Sequence, residues 1–509
     1  MHSLDNSTAP TREPTSTDRL SVVTRDDPRY PEMVVGYNQR WVGAPDAVVI
    51  PRTSGQVQRA VRDAVTAGKR VSVRSGGHCY ADFVYNPDVD VVIDMSAMNG
   101  ISWDAERGAV CVEPGAQLGQ LYQTLYREWG VTLPAGVCLS VGVGGHVSGG
   151  GFGFLSRKHG LVADYLEAVE VVIYDGSAVR TIVASRDPED PAYDLWWAVT
   201  GGGGGTFGVV TRFWFRRPGE RGGGPATSLP APPAAVLLGV AGWPWSLVDE
   251  ATFVRVMTNY AGWHVANSAP GTPAVDLCSV FFGRSSSGLA ILTQVDAGAG
   301  GLLSEFNAAL VAGTGLTVPP MVRKLGWLTS TKVVGSSGTL LHDPTLRSAL
   351  KTAWLRKGLE PDQLASVYRS LTTAGPGVPN GIFQLLSMGG QISAVAPDAT
   401  ASVHRSSVMF AEFETFWTSP ADDEANIAWL RELYGGAFSA TGGYPVPSDQ
   451  ADGCYISNPD PDITDPAYNK SGVQWPALYF GANYPRLQRA KARWDPTDFF
   501  RHSQSVRLP

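Results

Sequence analysis

Seven of the twelve positions from 142 to 153 are glycine, and residues 201–205 are five glycines in a row. Glycine loses more backbone freedom on folding than any other residue. Two such runs either stay unfolded or serve a purpose that no side chain would allow. The rest of the chain decides between these. Of 509 residues, 43% are hydrophobic and 10% aromatic, with 15 Trp, whereas disordered chains are poor in aromatics. The runs therefore belong to a folded protein, in which bare backbone lies against a large planar or phosphorylated ligand. Neither run reads as a G-x-G-x-x-G fingerprint between strand and helix, and neither carries the Lys-Ser/Thr of a P-loop. A shorter element, Arg74-Ser75-Gly76-Gly77-His78, directly follows an apolar strand. Successive N–H groups there form an anion-binding nest; a tight turn is the alternative reading.

Several classes are excluded early. The net charge is −7 and no Lys/Arg run is present, so nucleic acid is not an expected partner. No apolar stretch approaches the ~20 residues of a membrane span. The first residues have no apolar core and no twin arginine, so they are not a signal peptide as written. A disordered tail over 1–27 and a cytoplasmic location are expected, with a removed secretion signal left open. The five cysteines (79, 111, 138, 278 and 454) are widely spaced without CxxC, which argues against both a disulfide framework and a metal site.

Hydrophobic spacing predicts strands at 47–51, 70–74, 89–95, 109–113, 168–174 and 178–184. It predicts helices at 55–67 and 118–129. The Pro- and Gly-rich segment 218–233 reads as a linker. Beyond it, strands are expected at 275–282 and 406–417 and helices at 249–264 and 421–434. The last segment is too short for a domain and is expected to pack back.

Five ordered motifs carry a resemblance: RSGGH at 74–78, GVC at 136–138, VGVGGHVSGGGFG at 141–153, TGGGGGTFGVVT at 200–211 and YFGANYPRL at 479–487. They resemble the berberine bridge enzyme-like FAD-linked oxidases of the vanillyl-alcohol oxidase (PCMH-type) superfamily, particularly actinomycete members of antibiotic biosynthesis. The resemblance implies an α+β fold. A PCMH-type FAD-binding domain would span 28–217 and 470–509. A substrate domain at 234–469 would place an antiparallel sheet over the flavin, with helices behind it. It implies bicovalent FAD, joined through His78 to the 8α-methyl and through Cys138 to C6. A buried core thiol is the other reading of Cys138. Arg74, Ser75, Gly76, Gly77, Val141, Gly142, Gly145, His146, Gly151, Gly153, Gly205, Val210, Asn483 and Tyr484 would line the cofactor, with His146 supporting the loop. Val141 falls where the family leaves room for dioxygen, which favours an oxidase.

The chain departs from its relatives at the chemistry. The resemblance places proton-transferring tyrosines at three positions that here hold Phe152, Met388 and Asn458. An amide does not titrate and cannot act as a general base. Another candidate lies in 406–417, where alternation puts Val408, Phe410, Glu412, Glu414 and Phe416 on one face. Glu412 matches the position of the catalytic glutamate of berberine bridge enzyme itself, and desolvation beside Phe410 would raise its pKa. A solvated face or an ion pair with Arg405 is the alternative. Phe152, Met388, Phe410 and Glu414 would line the substrate pocket. The expected activity is hydride transfer from a bulky secondary metabolite to FAD, with dioxygen reduced to peroxide. Glu412 suits an acidic phenol, enol or ammonium proton. The other readings are an alcohol or sugar oxidase with a different base, a non-redox flavin-supported cyclase, and a binding protein. The chain is expected to be a monomer or homodimer without a metal.

Overall fold

A computed structural model describes residues 20–509, apart from 221, 319 and 320. Residues 1–19 of the expected tail lie outside the described residues. From 20 onward the tail expectation fails. Ser21–Thr24 is a strand, β1, paired antiparallel with β2 (Ala47–Ile50), and its Val23 is fully buried.

β3 (Val71–Arg74) and β4 (Val91–Asp94) complete a four-stranded sheet of order β1-β2-β4-β3, in which β2, β4 and β3 run parallel. All four residues of β4 are buried, as expected of a parallel strand covered on both faces. The crossover is the helix Ser54–Thr66, whose Val57, Ala60, Val61 and Ala64 face the core. The Thr53 side chain accepts the Gln56 N–H at its start. Gly68, at φ +65°, lets the chain turn away at its end. β3 thus delivers Arg74 and the loop behind it to the carboxyl end of the sheet. There the Arg74 guanidinium meets Asp94 at 2.7 Å.

A second sheet has the order β5-β6-β9-β7-β8: β5 (Ile101–Asp104), β6 (Ala109–Val112), β7 (Leu166–Tyr174), β8 (Val179–Ser185) and β9 (Val209–Phe215), all antiparallel. The helix Leu118–Trp129 buries Leu118, Leu121 and Leu125 and ends at Gly130, at φ +69°. The first glycine run is less irregular than its composition suggests. Residues Val143–Ser148 form a short helix beginning at Gly142.

The third sheet has seven antiparallel strands: β10 (Ala235–Pro244), β11 (Leu277–Arg284), β12 (Gly288–Asp296), β13 (Val322–Gly326), β14 (Arg347–Leu355), β15 (Asn380–Ser387) and β16 (Met409–Trp417). Their order is β13-β10-β12-β11-β15-β16-β14. The helices Glu250–Ala266, Gly300–Leu310, Pro361–Thr372 and Asp423–Ala437 pack behind it. β16 shows how one strand serves two layers. Phe413 packs on Tyr434 and Thr415 Oγ1 donates to Asn426 Oδ1, both on the helix side. Phe410, Glu412 and Glu414 point the other way. The helix Tyr484–Trp494 returns to the helix Tyr193–Val199. No helix among the described residues is long and apolar enough to cross a membrane.

Candidate active site

The loop after β3 and the first glycine run meet backbone to backbone. A Cβ on Gly76 would lie 2.3 Å from Gly142 N, and one on Gly142 would lie 2.1 Å from Ser75 Oγ. This contact brings the two expected attachment residues together. His78 Nε2 lies 2.9 Å from Ser140 Oγ, and Cys138 Sγ lies 3.6 Å from the same oxygen. Tyr37 stacks on the His78 ring at 3.7 Å between centroids. Burial, with His342 and Arg74 nearby, pulls the His78 pKa down to about 3, so its imidazole is neutral at neutral pH. Burial pushes the Cys138 thiol up, partly offset by hydrogen bonds from Ser140 and Val141.

The glycines divide by what surrounds them. A Cβ on Gly153 would lie 1.7 Å from Ala135 O, and one on Gly151 2.9 Å from the His146 ring. The chain's own packing accounts for both. A Cβ on Gly145 would meet nothing within 4 Å, and one on Gly204 only the Gly145 Cα at 4.0 Å. Gly205, at φ +71°, lies beside them. Gly145 and Gly204 thus leave open space beside bare backbone, the His502 side chain lies 3.8 Å from the Cβ position of Gly205, and Thr206 Oγ1 is buried next to them without a hydrogen-bond partner. Unobstructed backbone, with His78 and Cys138 close together, fits the donor set that FAD would meet here.

The other expected cofactor residues brace this region. His146 Nε2 accepts the Gly136 N–H at 3.2 Å, and burial lowers its pKa to about 4. Asn483 Nδ2 donates to Pro397 O at 2.8 Å and Thr400 O at 3.2 Å, fixing the loop whose Ser402 lies against Gly201. Tyr484 OH accepts the Arg507 N–H at 3.3 Å. Val210 sits in β9 opposite Val171. Val141 donates its N–H to Cys138 O at 3.3 Å.

On the open face of the third sheet, Phe152, Trp354, Phe410 and Tyr455 pack edge to face, with centroids 4.5–5.7 Å apart. Met388 is buried in the same cluster. Phe152, Trp354 and Tyr455 line a small recess with Gly149, Gly151 and Tyr479. The glutamates lie outside that lining but on the same sheet face as Phe410. Register sets Gln384 of β15 and Thr352 of β14 on either side of Glu412. Gln384 Nε2 donates to Glu412 Oε2 and, at 3.0 Å, to Glu414 Oε1. Asn458 Nδ2 donates to Glu412 Oε1 at 2.6 Å.

Desolvation raises the Glu412 pKa to about 7 against the pull of these two amides. Burial and the charge of Glu412 push Glu414 well above its ordinary range, with Arg284 acting in the opposite sense. Arg405, the alternative partner, is taken instead by Asp164 at 2.7 and 3.0 Å. Among the described residues neither glutamate has a salt-bridge partner.

Sequence reasoning did not single out Ser140, Gln384, Tyr80 or His342. Ser140 was readable, two residues from Cys138. Gln384 was not, because its place opposite Glu412 depends on strand register. Burial raises the Tyr80 phenol well above its ordinary value, and Glu414, Glu412 and Cys138 act in the same direction.

Comparison with known proteins places these observations. A family described as FAD binding domain matches residues 45–182, and one described as berberine and berberine like matches residues 454–507. The aclacinomycin-N/aclacinomycin-A oxidase of Streptomyces galilaeus is 46% identical over 499 residues, covering 96% of this chain and 90% of that protein. The crystal structure of a glycopeptide hexose oxidase complexed with teicoplanin is 42% identical with a TM-score of 0.92, covering 96% of this chain and 99% of its own. The oxidoreductase that catalyses the terminal step of gilvocarcin biosynthesis, solved with pregilvocarcin, is 39% identical with a TM-score of 0.92, covering 96% of this chain and 100% of its own. The expected α+β, PCMH-type fold is thereby borne out.

Proposed function

Because the chain belongs to the berberine bridge enzyme-like FAD-dependent oxidoreductases, we propose that it oxidises a bulky secondary metabolite, with FAD joined at His78 and Cys138 and Glu412 as the base. The relatives solved with teicoplanin and pregilvocarcin support a large substrate. FAD, when bound, would supply the hydride acceptor and the route of electrons to dioxygen; the protein supplies position and proton transfer. Gly145, Gly204 and Gly205 would be the residues whose bare backbone approaches the cofactor, and Val141 lies by the loop that carries Cys138.

One observation carries the assignment of the base. The position of the family's tyrosine holds Asn458, and its amide donates to Glu412 at 2.6 Å. Both carboxylate oxygens are thus fixed by amide donors, Oε1 by Asn458 and Oε2 by Gln384. A carboxylate with a pKa of about 7 is matched to proton abstraction at neutral pH. It suits a phenol, enol or ammonium proton on the atom beside the carbon that loses hydride. Burial and the neighbouring charge of Glu412 disfavour ionisation of Glu414.

The test is Glu412→Gln, which preserves shape and removes basicity. Substrate-dependent peroxide release and flavin reduction should fall by roughly 10²–10⁴-fold with FAD fully retained. Undiminished flavin reduction would remove Glu412 from the mechanism. His78→Ala with Cys138→Ala should release all flavin on denaturation; flavin retained by that denatured chain would place the attachment elsewhere.

A further inference from the structure

Joining sulfur to a flavin ring needs a thiolate, because the thiol itself is a poor nucleophile. Burial holds the Cys138 thiol protonated at neutral pH. Ser140 touches both attachment residues but is only a relay, since a neutral hydroxyl does not accept a proton for keeps. One further side chain reaches the sulfur. His342, at the end of the short helix Thr339–His342, places Nδ1 at 3.7 Å from Cys138 Sγ. The other titratable groups facing this thiol are His78, through Ser140, and Tyr80.

We propose that His342 is the general base that deprotonates Cys138 when FAD is joined to that cysteine. The proposal rests on the reading of Cys138 as the attachment point for flavin C6. The S–H bond breaks and its proton moves to His342 Nδ1. A sulfur electron pair forms the bond to C6, and the hydrogen originally on C6 leaves as a proton. The two electrons released pass to dioxygen, which takes both protons and becomes hydrogen peroxide. His78 needs no such partner, because burial already keeps its imidazole neutral. The two links therefore have separate requirements. The histidine link depends on residues near the glycine loops, and the cysteine link depends on a residue some 200 positions later.

The full-length chain, His342→Ala and His342→Asn are purified with FAD, denatured, treated with an alkylating agent and digested, and the flavin-bearing peptides are weighed by mass spectrometry. In the unsubstituted chain one flavin should join the His78 and Cys138 peptides. In both variants flavin should remain on the His78 peptide, while Cys138 becomes free to alkylate. Cysteine linkage should form at least ~100-fold more slowly. Imidazole added to His342→Ala should restore the link by replacing the missing base. His342→Asn, which fills the space without basicity, separates loss of the base from loss of packing. Doubly linked flavin in His342→Asn at the unsubstituted rate overturns the proposal, as does failure of imidazole to restore the link in His342→Ala. An unsubstituted chain with no flavin on Cys138 overturns both the proposal and the double-attachment reading beneath it.

Discussion

Asn458, at a position where the resemblance leads one to expect a proton-accepting phenol, donates its amide to a carboxylate. The consequence can be measured as a shift in titration. Removing the donor in Asn458→Ala takes away an interaction that favours the ionised acid. The Glu412 pKa should then rise from about 7 by roughly 1–2 units, the worth of one hydrogen bond to a charged group. The acidic limb of the kcat/KM profile should move upward by the same amount. An unmoved limb would mean that another group titrates. Stability should run in the opposite direction. The Glu412 pKa is higher folded than its ordinary 4.5, so the native state holds the proton more tightly than the unfolded chain. That contribution is complete below pH 4.5 and is lost as pH rises to about 7. Thermal melts of the unsubstituted chain should fall across this window, and Glu412→Gln should flatten the slope.

At the scale of elements, what could be read from the sequence follows the distance over which each signal acts. The helix Leu118–Trp129 matches its predicted bounds because Leu118, Leu121, Leu125 and Gly130 are all local signals. The alternation of β16 was equally plain and put Glu412 beside Phe410. The partners of β16 could not be read, since the alignment of Gln384 and Thr352 with Glu412 arises from pairing between distant segments. β1 escaped because only one of its four residues is buried. The short helix Val143–Ser148 escaped because glycine opposes helix formation. The glycine runs give the matching prediction. Gly153→Ala drives a methyl to 1.7 Å from Ala135 O and should cost about 1–3 kcal/mol or more of stability, visible in the melting temperature. Gly145→Ala meets nothing and should leave the apo-chain melt within about 0.5 kcal/mol, yet reduce FAD retained on purification. Equal behaviour of the two variants would contradict the assignment of Gly145 to the cofactor site.

At the scale of the molecule, two buried lysines hold segments that sequence places far apart. Lys351 in β14 binds Asp460 at 2.7 Å and Asp462 at 2.8 Å, next to the loop that presents Asn458. Lys491 binds Asp495 at 2.7 Å, Thr206 O at 2.7 Å and Phe500 O at 2.6 Å. Removing the lysine leaves a buried carboxylate, Asp460 or Asp495, without its cation, so Lys351→Met and Lys491→Met should each cost about 3–5 kcal/mol, read from denaturant midpoints. The second contact also bears on when the protein can become an enzyme. Lys491 and His502 reach Thr206 O and Gly204 O, the backbone of the second glycine run. A chain emerging from the ribosome has made its glycine loops long before it has made the residues that brace them. The second glycine run therefore goes without these contacts until residues 491 and 502 have been made, and a chain cut short before them lacks both.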